Sequence, residues 1–238
     1  MSSSQKAKGV ADIVFLIDAT GSMQPCIDAL KENINSFINS LTTTDANNSS
    51  PVKHWRSKVV GYRDFEVDPI PIIDNPFVET SEQLATQLSK ITAEGGGDEP
   101  ESLLEGIFHV ASMPVSAKGE PYNGNSWRPA NAAARIVVIF TDASFKEPLE
   151  KPKGATIDDV FNKLTSTKII LSIFAPDIPC YEKLSEMDKA EWNVIKGGST
   201  PQESLALFTA NKENFKKTLA QLARTISVSA EVISVDQL

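Results

Sequence analysis

Asp12-Ile13-Val14-Phe15-Leu16-Ile17-Asp18-Ala19-Thr20-Gly21-Ser22-Met23 is the stretch that decides the fold. Asp12 to Ile17 is β-branched and aromatic, the composition of a strand buried on both faces of a sheet. The apolar run stops at Asp18, and a carboxylate and two hydroxyls (Asp18, Thr20 and Ser22) then fall at alternate positions. A helix is expected from about Pro25, because proline is tolerated in a first turn. Ile27, Leu30, Ile34, Phe37, Ile38 and Leu41 then repeat at three-to-four-residue spacing. Three oxygen donors therefore gather where a buried strand turns into a helix. Mg²⁺ takes six oxygens in near-octahedral geometry and keeps several as water, so two hydroxyls and one or two carboxylates make a plausible partial cage.

Outward from this stretch, apolar runs alternate with helical periodicity, which predicts an α/β fold: a doubly wound, mostly parallel sheet with helices on both faces. Lys58 to Tyr62 reads as a second strand, and the proline-bearing segment from Ile70 to Val78 suits an antiparallel edge strand. Leu84, Leu88 and Ile91 mark a short helix. Leu103, Leu104, Ile107, Phe108 and Ala111 mark another, preceded by Asp98, Glu99 and Pro100. Met113 to Ala134 is a long insertion of low hydrophobicity. Arg135 to Phe140 and Lys168 to Phe174 are further buried strands, a sixth strand is placed near Leu205 to Phe208, and Phe215, Leu219, Leu222 and Ile226 share one face of a C-terminal helix. Residues 10–228 are expected to form one domain, with a disordered stretch over 1–9 and a tail over 229–238.

The chain of 238 residues, 41% of them apolar, suffices for one such domain. Acidic residues outnumber basic ones 31 to 23, a formal charge of -8 that disfavours nucleic acid and anionic lipid as partners and favours a cation. No run approaches the roughly 18 apolar residues of a membrane span, and no basic-then-apolar leader opens the chain, so a cytoplasmic location is expected. Cys26 and Cys180 belong to no zinc spacing and read as reduced thiols.

Two further segments converge on the same edge, because ligands of a doubly wound sheet gather at the carboxyl ends of its strands. Phe140-Thr141-Asp142 closes the strand from Arg135, bringing Asp142 beside Asp18 if the two strands are neighbours. Gly95-Gly96-Gly97-Asp98-Glu99-Pro100 supplies a loop whose glycines permit close approach and whose carboxylates can reach an ion directly or through water.

Asp18-x-Thr20-x-Ser22, Thr141-Asp142 and the glycine loop between them resemble the three loops of the metal-ion-dependent adhesion site of von Willebrand factor A domains, over roughly residues 10 to 226. Gly61-Tyr62-Arg63-Asp64-Phe65 and Gly95 to Glu101 further resemble the intracellular branch of that family, found in bacterial proteins and beside alpha-kinases, and linked to stress response, conflict systems and phosphorylation. The resemblance implies Thr20 and Ser22 as hydroxyl ligands, and Asp18 and Asp142 as carboxylates bound directly or through water. It places Asp98 where the family commonly has a threonine, and direct ligation by Asp98 and plain stabilisation of the helix start stand as equal readings. It also implies Mg²⁺, with Mn²⁺ or Ca²⁺ as alternatives, and a protein partner whose Asp or Glu completes the coordination. A separate kinase, phosphatase or ATPase is a candidate for that partner.

Simpler readings accompany each motif. Asp-x-Thr-x-Ser alone also suits a helix-capping turn. Arg63 is expected to pair with a carboxylate and Tyr62 to pack; His109 is expected to be a packing residue; and His54 lies in a different context. Trp127 and Tyr122 either meet a partner or fold onto their own domain. The loop from Lys146 to Lys153 should border the metal site. No P-loop, nucleophile elbow, H-E-x-x-H or dinucleotide-binding glycine pattern occurs, so a non-enzymatic binding module is expected ahead of a metal-dependent phosphoryl-transfer or hydrolytic enzyme and of a metal-independent scaffold.

Overall fold

The computed structural model describes residues 9–44, 46, 51–96, 99–117 and 123–231. Among these residues six strands form one sheet: β1 (Val10–Asp18), β2 (His54–Tyr62), β3 (Ile72–Asp74), β4 (Ala134–Phe140), β5 (Ile169–Pro176) and β6 (Ala190–Ile195). Their order is β3-β2-β1-β4-β5-β6, and all neighbours are parallel except β2 and β3. The expected α/β architecture with one antiparallel edge strand is therefore the one observed. β1 lies between β2 and β4, and every residue from Ala11 to Asp18 is buried, as its unbroken apolar run requires.

Alternate residues of each strand serve opposite faces. Ile13, Phe15 and Ile17 pack with the apolar stripes of α1 (Gln24–Thr42), α2 (Ser81–Ser89), α6 (Pro201–Ala210) and α7 (Lys212–Glu231). Val14, Leu16, Val60 and Tyr62 pack with α3 (Leu103–Ala111), α4 (Ile157–Thr167) and α5 (Cys180–Ser185). The strand order reverses between β1 and β4, which makes the crevice outside their carboxyl ends the topological switch point where such sheets bind ligands.

The sixth strand is misplaced by the sequence reading. Leu205 to Phe208 lie inside α6, and the sixth strand is β6. The local chemistry explains this: Thr200 caps α6 by accepting from the Glu203 amide at 3.1 Å, and Pro201 stands in its first turn. β6, Ala-Glu-Trp-Asn-Val-Ile, is a half-exposed edge strand and shows no apolar run. In the insertion, Trp127 is wholly buried, donates from Nε1 to the Val110 carbonyl at 3.0 Å and packs on Phe77; of the two readings, it folds onto its own domain. Tyr122 lies outside the described residues.

Candidate metal centre at the carboxyl edge of the sheet

Asp18, the last residue of β1, is fully buried and ties three strand ends together. Its Oδ1 accepts from the Thr20 amide at 3.0 Å and the Thr20 hydroxyl at 2.7 Å. Its Oδ2 accepts from Thr141 Oγ1, just beyond β4, at 2.9 Å and from the Tyr62 hydroxyl, at the end of β2, at 3.3 Å. Burial raises the Asp18 pKa, and the hydrogen bonds from Thr20, Thr141 and Tyr62 oppose that rise. Thr20 is extended and leads into the short 3₁₀ turn Gly21–Met23, which carries Ser22 exposed at the rim.

Asp142 emerges beside Asp18, because β1 and β4 pair through Ile17 and Phe140. It is 1% exposed, and neither of its carboxyl oxygens has a hydrogen-bond partner. Burial, then the Asp18 charge, push its pKa up to about 6. The Ser22 side chain lies near enough to favour the ionised form but makes no hydrogen bond of ordinary geometry with Asp142. Orphaned carboxyl oxygens cost free energy unless something positive meets them. The donor set of two buried carboxylates and neighbouring hydroxyls fits a hard divalent cation. Among the described residues, no three His, Cys, Asp or Glu side chains converge on one point. An ion here would therefore complete its shell with hydroxyls and water, as Mg²⁺ prefers.

The glycine loop is shaped by its neighbours. Gly95 and Gly96 adopt φ of +69° and +79°. A β-carbon on Gly95 would stand 2.0 Å from Asp68 Oδ1; one on Gly96 would stand 2.9 Å from the Thr20 β-carbon and 3.0 Å from Glu101 Oε1. Asp68 Oδ2 accepts from the Gly96 amide at 3.1 Å and the Asp64 amide at 3.0 Å, joining this loop to the segment after β2. Asp98 lies outside the described residues.

The sequence reading assigned no role to Glu101. This residue is 6% exposed, its Oε2 is buried without a partner, and burial together with the charges of Asp18 and Asp64 pushes its pKa up to about 8 against the opposing pull of Lys146. Its backbone is clamped to the segment after Asp142: its amide donates to the Ser144 carbonyl at 2.8 Å, and its carbonyl accepts from the Lys146 amide at 2.9 Å. The Glu-Pro-Glu sequence after the glycines was the available signal. Its burial depends on a contact across more than forty residues of chain.

Lys146 borders the site as expected. Its Nζ meets Asp64 at 2.9 and 3.0 Å and Glu66 at 2.5 Å. Arg63 donates to the Thr92 carbonyl at 2.9 Å and stands 3.8 Å from Glu94, while Tyr62 packs in the core, as the simpler reading holds. His109 is not merely a packing residue: its Nε2 lies 3.2 Å from Asp74, which also pairs with the buried Lys58 at 2.6 Å. Cys26 is a buried free thiol, and desolvation pushes its pKa far up, which makes it unreactive. A groove of about 1010 Å³ between the starts of β4, β5 and β6 and the end of α7 lies at the opposite end of the sheet and takes no part in this centre.

The fold and the edge together define an open doubly wound domain with oxygen donors suited to a hard cation at its switch point. Residues 12–118 match the family model of the von Willebrand factor A domain. It is 25% identical over 178 residues to the alpha-protein kinase vwkA of Dictyostelium discoideum, a match that covers 69% of this chain and 25% of the kinase. Among solved structures, proximal thread matrix protein 1 of the mussel byssus, in a form described as having a zinc-occupied MIDAS motif, aligns with a TM-score of 0.54 at 12% identity, covering 90% of this chain and 47% of that one. The pilus adhesin SpaC of Lactobacillus rhamnosus GG, in its open conformation, aligns with a TM-score of 0.51 at 11% identity, covering 92% and 31%. The chain thus spans a quarter of the kinase and less than half of either structural neighbour.

Proposed function

We propose that this domain is a metal-dependent interaction module that binds Mg²⁺ at the β1–β4 edge and engages an Asp or Glu of a partner protein through the bound ion. The observation that carries the reading is Asp142, whose two buried carboxyl oxygens have no partner and stand beside the buried Asp18. Thr20, Ser22 and Asp142 would hold the cation, with Asp18 orienting Thr20 and acting directly or through water. The bound ion supplies a Lewis-acidic position that an incoming carboxylate can occupy. The mussel protein with its occupied motif supports the metal, although its likeness to this chain extends to the fold alone. The kinase match supports a partner in a phosphorylation-linked system, supplied as a separate chain or as part of a longer one.

The test is calorimetric titration of chelator-stripped protein with Mg²⁺ and Mn²⁺, comparing wild type with Asp142→Ala. One-site binding by the wild type, lost in the variant, is expected. A wild type that binds neither ion overturns the reading. Mg²⁺-dependent hydrolysis of a simple phosphate ester, abolished by Asp18→Asn, would move the function to a hydrolase.

A further inference from the structure

Among the described residues, the buried side-chain atoms without a hydrogen-bond partner are Arg63 Nε and four carboxyl oxygens: both of Asp142, Oε2 of Glu101 and Oε2 of Glu105. Asp142 belongs to the metal centre. Glu105 turns its other oxygen to the Glu150 amide at 2.7 Å and so secures the segment that follows β4. Glu101 is different. Its Oε1 and the β-carbon and methyl of Thr20 all lie within about 3 Å of the point a β-carbon on Gly96 would occupy, so the missing side chain at Gly96 lets the Glu101 carboxyl come close to Thr20, a residue of the metal centre. Its backbone bonds to Ser144 and Lys146 hold it to the segment that leaves Asp142. The residue thus bridges two of the three loops of the centre.

Among the described residues no three such groups converge, so Glu101 does not meet Asp18 and Asp142 at a common point. Direct ligation is therefore not what this geometry offers. A hard cation held by few protein donors keeps several waters, and those waters are strong hydrogen-bond donors that need acceptors around them. A buried carboxylate whose Oε1 lies close to Thr20 across Gly96 and whose Oε2 has no partner is such an acceptor. We propose that Glu101 is an outer-sphere carboxylate of the metal centre, accepting a hydrogen bond from water on the cation and thereby setting the affinity for Mg²⁺. This rests on the reading of the edge as a metal site. It assigns to the glycine loop a contribution that reaches the ion through Glu101 rather than through a hydroxyl.

Loss of an outer-sphere partner commonly costs 10–100-fold in metal affinity. The experiment is titration of the chelator-stripped full chain with Mg²⁺, comparing wild type with Glu101→Gln, Glu101→Asp and Glu105→Gln, each checked for cooperative thermal unfolding in chelator. Both changes at Glu101 are expected to weaken Mg²⁺ binding by about 10–100-fold, and Glu105→Gln to leave it unchanged. Wild-type affinity in a folded Glu101→Gln or Glu101→Asp protein overturns the proposal while leaving the metal centre standing. Equal weakening by Glu105→Gln also overturns it, by showing a general effect of the helix. A wild type that binds no Mg²⁺ overturns the metal reading itself.

Discussion

Asp142 shows how a single residue couples burial to chemistry. Both oxygens leave water without gaining a donor, and Asp18 adds a like charge, so the carboxyl titrates at about 6 instead of its ordinary 3.8. The folded protein therefore holds this proton more tightly than the unfolded chain does. The resulting stability is fully present below about pH 4 and is lost as pH rises through about 6, because in that window the native state binds more protons. Two units correspond to about 3 kcal/mol, as an order of magnitude. In chelator at pH 7, Asp142→Asn is expected to be more stable than wild type by up to that amount, with the gap closing towards pH 4. Denaturant unfolding of the two proteins across this range checks it, and a gap that does not change with pH contradicts the assignment. Glu101 shifts in the same direction, from 4.5 to about 8, and extends the wild-type loss to higher pH.

At the scale of elements, β1 carries opposite tasks at its two ends. Asp18 closes the carboxyl end at the candidate metal centre. Near the other end, Asp12 is fully buried and receives Arg56 through two bonds, at 3.0 and 2.6 Å, and Arg128 through its amide at 2.8 Å and its Nε at 2.6 Å. One carboxylate thus joins β1 to β2 and pins the insertion that carries Trp127 to the sheet. Asp12→Ala would leave two buried guanidinium groups without that partner, a loss on the order of 3–5 kcal/mol. The six-residue rise from Asp12 to Asp18 spans about 20 Å, so Mg²⁺ affinity is expected to stay at the wild-type value. Unfolding and calorimetry of the same variant separate the two effects, and a variant with lowered stability and lost metal binding would show that the strand ends are coupled.

For the whole molecule, a ligand that binds only the folded state raises its stability by mass action. Mg²⁺ at 100 times its dissociation constant is expected to add about 2.7 kcal/mol. In a domain of this size, each kcal/mol shifts the melting temperature by about 2–4 °C, so a rise on the order of 5–10 °C is expected over chelator-treated protein. Asp142→Ala should show no such rise. An equal rise in both proteins would mean that Mg²⁺ acts elsewhere.

The sequence by itself determined the elements whose information is local. The run from Asp12 to Ile17 announced a central strand because burial on both faces demands an unbroken apolar sequence. Asp18, Thr20, Ser22 and Asp142 were legible as a set because the ends of parallel strands in a doubly wound sheet are brought to one edge. β6 was not legible, since an edge strand buries too little to impose a pattern, and α6 was masked by its leucine-bearing run until the Thr200 cap was seen. Only the tertiary structure decided that Trp127 belongs to the core, that Asp74 joins Lys58 to His109, and that Glu101 is buried beside Gly96 with its Oε2 unpartnered. Those facts depend on which segments distant in sequence lie in contact, and whether a carboxylate is solvated, paired or stranded follows from its neighbours in space, which its neighbours along the chain do not specify.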